Sequence, residues 1–200
     1  AHLLRHTGAG AAIVFCAENG ARRELSRDDL RTSVSRVAAA LRAAGVTRGD
    51  RVAGYLPNCP EAVIAMLATT SMGAVWSSCS PDFGIGGVVD RFGQIEPKVL
   101  FVPNAYFYNG KICDTRSTVA GIVAAIPSIV KTVVVPFIDA APTVTEVDNA
   151  IGWDEFLTDE AELEFVSVDF NHPLYIMFSS GTTGVPKCIV HGHGGTLLQQ

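Results

Sequence analysis

Apolar and polar positions fall in short blocks whose period changes along the chain. Residues 11–15 form a brief apolar run that reads as a strand, and Arg23-Glu24-Leu25 is expected to pair with it. Ser26 then stands where a helix N-cap belongs, with Asp29 three positions on. Its short oxygen acceptor can satisfy orphan N–H groups, and Asp28 and Asp29 suit the positive end of a helix dipole. Leu30, Val34, Val37, Ala38 and Leu41 follow at helical spacing. Gly45 lies where a left-handed residue ends such a helix.

The alternation continues. Residues 51–56 predict a strand, entered through Arg48-Gly49-Asp50 and broken by Pro57-Asn58. Pro60 suits a first helical turn, because its missing N–H would be unpaired there anyway. That helix runs to about Met72 and stops at Gly73. Strands follow at 75–79, 98–102 and 131–135, with a helix at 88–95 and a weakly helical stretch at 115–126. Residues 136–149 are a Pro/Thr/Ala-rich loop, and 153–157 a helical turn. Residues 174–178 predict a buried strand leading into a glycine-rich segment. Strands alternating with helices at this spacing argue for one α/β domain: a mixed, mostly parallel sheet with flanking helices.

Composition narrows this reading. With 200 residues, 48% of them hydrophobic, the chain can bury a sizeable core. A formal net charge of −5 argues against a general nucleic-acid binder. Cys16, Cys59, Cys79, Cys113 and Cys188 are odd in number, widely spaced and without a CxxC pair. They make a poor disulfide or zinc framework and read as reduced thiols, mostly small core residues, in a cytoplasmic protein. The most apolar stretch, 62–76, is interrupted by Thr69, Thr70, Ser71 and Gly73 and falls short of the ~20 residues a membrane helix needs, so membrane insertion is not expected. The first residues, Ala1-His2-Leu3-Leu4-Arg5-His6, are too polar for a signal peptide. Both ends are expected to be cut points.

The candidate chemistry lies in Ser179-Ser180-Gly181-Thr182-Thr183-Gly184-Val185-Pro186-Lys187. Gly181 and Gly184 let backbone N–H groups approach an anion without a Cβ in the way. Ser179, Ser180, Thr182 and Thr183 add hydroxyls, and Lys187 adds a positive charge. Triphosphate oxygens take this mixture of donors. The segment is not a Walker loop, since Val185 and Pro186 separate Gly184 from Lys187 and Cys188 follows the lysine.

The segment resembles the phosphate-loop motif of the adenylate-forming superfamily, which includes the acyl-CoA synthetases. Further blocks carry the likeness across the chain: Trp76-Ser77-Ser78-Cys79-Ser80-Pro81-Asp82-Phe83-Gly84, Asp90-Arg91-Phe92-Gly93-Gln94-Ile95-Glu96-Pro97-Lys98, Tyr108-Asn109-Gly110-Lys111 and Ile189-Val190-His191-Gly192-His193-Gly194-Gly195. Within that superfamily they are most similar to the branch that activates acetoacetate, with the acetate- and propionate-activating branch as the alternative. A non-catalytic nucleotide-binding remnant is the reading from another class. The resemblance implies that residues 1–200 are a partial N-terminal AMP-binding domain. It implies ATP, Mg2+ and CoA as cofactors and a small carboxylate as the partner. A carboxylate would attack the ATP α-phosphate, and the CoA thiol would then displace AMP.

By the same resemblance, Ser179, Ser180, Gly181, Thr182, Thr183 and Gly184 hold the β- and γ-phosphates, with Lys187 on a phosphate or bracing the loop. Lys111 is a candidate CoA-phosphate contact or an ordinary solvated lysine. His191 and His193 either line an acyl or nucleotide pocket or fix a turn. Trp76 reads first as core packing and second as a pocket wall. Asp82, Asp90 and Arg91 are expected to form an ion pair at a helix start. No metal site is expected among the side chains, and the lysine that drives adenylation in this superfamily is expected beyond residue 200. On these grounds the isolated chain should not form an acyl-adenylate, and it should expose apolar sheet edge at 175–178.

Overall fold

A computed structural model describes residues 1–138, 147–159, 162–179 and 184–199. After a short 3-10 turn at His2–Leu4, strands β1 (Ala11–Cys16) and β2 (Arg22–Ser26) pair antiparallel as a separate ribbon. Helix α1 (Arg27–Ala43) starts on the expected cap: Ser26 Oγ accepts from the Asp29 N–H at 3.0 Å, and Asp29 reaches back to the Ser26 N–H at 3.2 Å. Two orphan donors are thus satisfied at once. Gly45 follows the helix with φ +81°, as the left-handed stop requires.

Then come β3 (Arg51–Tyr55), α2 (Pro60–Ser71), β4 (Val75–Cys79), α3 (Ile85–Ile95) and β5 (Val99–Pro103). A hairpin of β6 (Ala105–Tyr108) and β7 (Lys111–Asp114) leads into α4 (Arg116–Ala125) and β8 (Lys131–Val135). The chain closes with β9 (Ala150–Gly152), α5 (Trp153–Phe156), β10 (Pro173–Phe178), β11 (Cys188–Gly192) and α6 (His193–Gln199).

The main sheet has the order β11-β10-β4-β3-β5-β8-β9. Every neighbouring pair is parallel except β10–β11. This is the expected mixed, mostly parallel sheet. Its central strands are buried on both faces, and alternation divides them between two cores. Val52, Val99 and Phe101 join α1, α2 and α5 on one side. Ala53, Leu100 and Val102 join Val88 and Phe92 of α3 and Ile122 of α4 on the other. Strands covered on both faces need apolar residues at successive positions, which is why 99–102 read as a continuous run.

Several expectations change. Helix α3 begins three residues before the predicted 88, with Gly84 in the N-cap position. β10 is half-buried rather than buried, and Met177 is 53% exposed. It packs chiefly against its neighbours β4 and β11. β10 is therefore not an edge strand: Tyr175 and Ile176 pair with both β4 and β11, and Met177 and Phe178 pair with β11. The exposed apolar side chains next to them lie instead on β11 and α6, at Ile189, Val190, Leu197 and Leu198. Among the five cysteines only Cys59 is fully buried, while Cys16 and Cys188 are exposed. Part of the 136–149 loop lies outside the described residues.

Candidate functional site

β10 and β11 form a hairpin, and the glycine-rich segment is the connection between them. Ser180, Gly181, Thr182 and Thr183 lie outside the described residues; the neck of the loop is tied by two hydrogen bonds. The Ser179 N–H donates to the Lys187 carbonyl at 3.0 Å, and the Lys187 N–H donates to Ser179 Oγ at 3.4 Å. Gly184 has φ +142°, a backbone state that a side chain would strain. Lys187 is exposed and makes no ion pair among the described residues.

The loop leaves the sheet at the carboxyl end of β10, the side where ligands bind in open α/β sheets. The carboxyl ends of β3 and β4 open onto the same side. There the Tyr55 hydroxyl donates to the Pro81 carbonyl at 2.6 Å and lies 3.0 Å from that of Phe83, fixing the turn after β4. Burial pushes the Tyr55 phenol well above its ordinary range and the Cys79 thiol up to about 12, so both stay protonated. The expected ion pair of Arg91 with Asp82 or Asp90 does not form. The Arg91 guanidinium lies 4.2 Å from the centre of the Phe83 ring and donates to the Gly87 carbonyl at 2.6 Å. A ring face within reach of a half-buried guanidinium competes with an exposed carboxylate.

One contributor has no signal in the sequence. Gln94, an exposed polar residue of α3, reaches both sides of Lys187. Its Nε2 donates to the Pro186 carbonyl at 2.8 Å, and its Oε1 lies 3.5 Å from Cys188 Sγ. Polar positions on a helix surface are ordinarily solvated, so nothing local marks this one.

The remaining candidates lie elsewhere. Trp76 is 5% exposed and packs against Phe101, with ring centres 6.4 Å apart. A Cβ on Gly54 would come within 2.7 Å of the Trp76 ring, so the strand beside it has to carry glycine. Lys111 is exposed, just after the Asn109-Gly110 turn of the β6–β7 hairpin. Both turn residues have positive φ, as a two-residue hairpin loop demands. The hairpin tip is tied by the Gly110 N–H to the Glu18 carboxylate.

His191 and His193 lie toward the end of β10 away from the loop. His191 pairs with Tyr175, rings 5.0 Å apart. His193 opens α6, with its ring 5.7 Å from that of His172, whose Nε2 lies 2.8 Å from the Gly73 carbonyl. Burial, and then the neighbouring His172, lower the His193 pKa. His193 also borders a cavity of about 820 Å³ walled by Leu4, Leu67, Phe170, Leu174 and Leu197. Across the strand's length, roughly 17 Å at a strand's rise per residue, these histidines and the loop are separate sites.

The profile of the AMP-binding enzyme family matches residues 4–200. The chain belongs to the AMP-binding enzymes. Among characterised members of this family, acetoacetyl-coenzyme A synthetase of Rhizobium meliloti is 50% identical over 99% of the chain and 31% of its own length. Acetoacetyl-CoA synthetase of Gallus gallus is 45% identical over the same shares. Malonamoyl-CoA synthetase of Penicillium aethiopicum is 43% identical over 94% of the chain and 27% of its own length. The solved acetoacetyl-CoA synthetase from Streptomyces lividans superposes with a TM-score of 0.92 at 42% identity, covering 99% of this chain and 30% of that one. The chain thus spans about a third of the length of these family members. Among the described residues no helix is long and apolar enough to cross a membrane.

Proposed function

We propose that these 200 residues are part of the N-terminal domain of an acid–thiol ligase that joins acetoacetate to CoA, cleaving ATP to AMP and pyrophosphate. The observation that carries the reading is the Ser/Thr/Gly loop with its terminal Lys187, held at the carboxyl end of a parallel sheet by a paired neck. Pyrophosphate is the leaving group of adenylation, so its oxygens need amide, hydroxyl and ammonium donors in place before the bond breaks. Ser179, Ser180, Gly181, Thr182, Thr183 and Gly184 supply the first two kinds, and Lys187 the third. Mg2+ enters with the nucleotide, since a small hard cation favours phosphate oxygens and water. CoA is the acceptor of the acyl group, with Lys111 a candidate contact for its phosphates.

The relatives' names favour a particular acid class. Acetoacetyl and malonamoyl groups both carry a carbonyl two carbons from the reacting carboxyl, differing by a methyl against an amino group. Acetate and propionate lack that carbonyl, which makes them the weaker reading.

The test is carboxylate-dependent ATP–pyrophosphate exchange by the full-length protein carrying this chain. Exchange with acetoacetate well above that with acetate or propionate is expected; the reverse order would overturn the acid assignment. Lys187→Ala and Thr183→Ala should each raise the KM for ATP about tenfold or more, the scale of a lost charge-assisted hydrogen bond. The isolated 200 residues are expected to give no exchange.

A further inference from the structure

Helix α3 touches both arms of the loop. At the entry arm, Phe92 packs against Phe178, the last residue of β10, with ring centres 6.4 Å apart. At the exit arm, Gln94 donates to the Pro186 carbonyl at 2.8 Å and accepts from the Cys188 thiol at 3.5 Å. The first contact is apolar and part of the core behind the sheet, where Phe92 is fully buried. The second is polar and at most partly buried, and it has no need to exist for α3 to pack. Gln94 therefore sets both ends of its amide against the residues that flank Lys187, while its Nε2 also donates to the Asp90 carbonyl one turn back at 2.5 Å.

We propose that Gln94 is a positioning residue for nucleotide binding: it holds the exit arm of the loop so that Lys187 meets the phosphates of ATP. This rests on the phosphate reading of the loop given above. Gln94 does not touch the nucleotide in this account; it acts through Pro186, Cys188 and the lysine between them. Holding the arm in advance removes part of the ordering cost that a free arm would charge against ATP binding.

The experiment compares the wild-type full-length protein with Gln94→Met, which keeps the length and loses both hydrogen bonds to the exit arm along with the one to Asp90, and with Gln94→Glu, which keeps the acceptor for Cys188 but sets a carboxylate against the Pro186 carbonyl. Gln94→Met is expected to raise the KM for ATP about fivefold, the scale of a typical net hydrogen bond, with Gln94→Glu worse. The KM for the acid and the Tm should stay near wild type. In the Lys187→Ala background the Gln94→Met effect should shrink, because both changes act on one contact. An unchanged KM for ATP, a parallel loss in the acid KM and Tm, or full additivity with Lys187→Ala would each overturn the proposal.

The same variants are read by the Kd of a non-hydrolysable ATP analogue, which needs no acid. A wild type that binds the analogue but fails to exchange with acetoacetate refutes only the acid assignment. A wild type that does not bind it refutes the phosphate reading and this proposal together.

Discussion

The centre of the sheet and the β10–β11 hairpin are built from similar apolar residues and live in opposite surroundings. In β3, β5 and β8 nearly every side chain is buried, one face against α1, α2 and α5 and the other against α3 and α4. Phe101 alone meets Trp76, Trp153 and Phe156 at ring distances of 6.4, 5.9 and 5.9 Å. In the hairpin, Met177, Ile189 and Val190 are about half exposed. The difference separates two jobs. The centre carries stability and admits almost no change of shape. The hairpin bears the loop on which the phosphate proposal rests, and its backbone ladder, rather than side-chain burial, holds the two arms together.

The sharpest way to break that comparison is to truncate one residue in each region. Phe101→Ala should destabilise the protein by about 3–5 kcal/mol, the range for a buried aromatic. Met177→Ala should cost under about 1 kcal/mol. Equal losses in denaturant titrations would show that the hairpin is as tightly built as the centre. A smaller effect is expected at Gly54, where the clash is with the buried Trp76 ring. Gly54→Ala should cost about 1–3 kcal/mol through overpacking against Trp76, and a neutral melt would mean that β4 shifts to make room.

The smallest effect concerns pH at the amino end of β3. Burial raises the Asp50 pKa, but the Lys98 ammonium at 2.7 Å and the Thr47 N–H and hydroxyl, both at 2.8 Å, outweigh it and leave the carboxyl below its ordinary range. A depressed folded pKa stabilises the fold above the unfolded value, near 4, and that contribution fades as the pH falls through the folded value. With Lys98 partly exposed, the contribution is under about 1 kcal/mol. The difference in denaturation midpoint between neutral and acid pH should shrink in Asp50→Asn. An unchanged difference would place the acid sensitivity elsewhere, for instance at Asp29 or Asp114, whose hydrogen bonds from Ser26 and Arg116 also lower them.

Where local signals were strong, the sequence was sufficient. The Ser26–Asp29 capping box, Pro60 at the head of α2 and the strand 75–79 follow from short-range rules that hold wherever the segment sits. β9 escaped because three residues carry no period. The start of α3 escaped because Ile85-Gly86-Gly87 has little helical propensity of its own; packing of the helix decides it. The expected burial of β10 failed for a related reason. An apolar run reveals that a strand can be buried, and what covers it is set by elements far away in the chain. The loop motif was readable as a candidate because its polar residues and glycines are consecutive. Gln94 was not, because its partners are 92 and 94 residues distant.

The paired neck between Ser179 and Lys187 also bears on how this segment can vary. An inserted residue must go either to the tip, lengthening the loop, or into the arms, where a one-residue slip exchanges the faces of β11. The second would turn Cys188 away from α3 and His191 away from Tyr175 at one stroke. The segment should therefore accept a change of letter far more readily than a change of length.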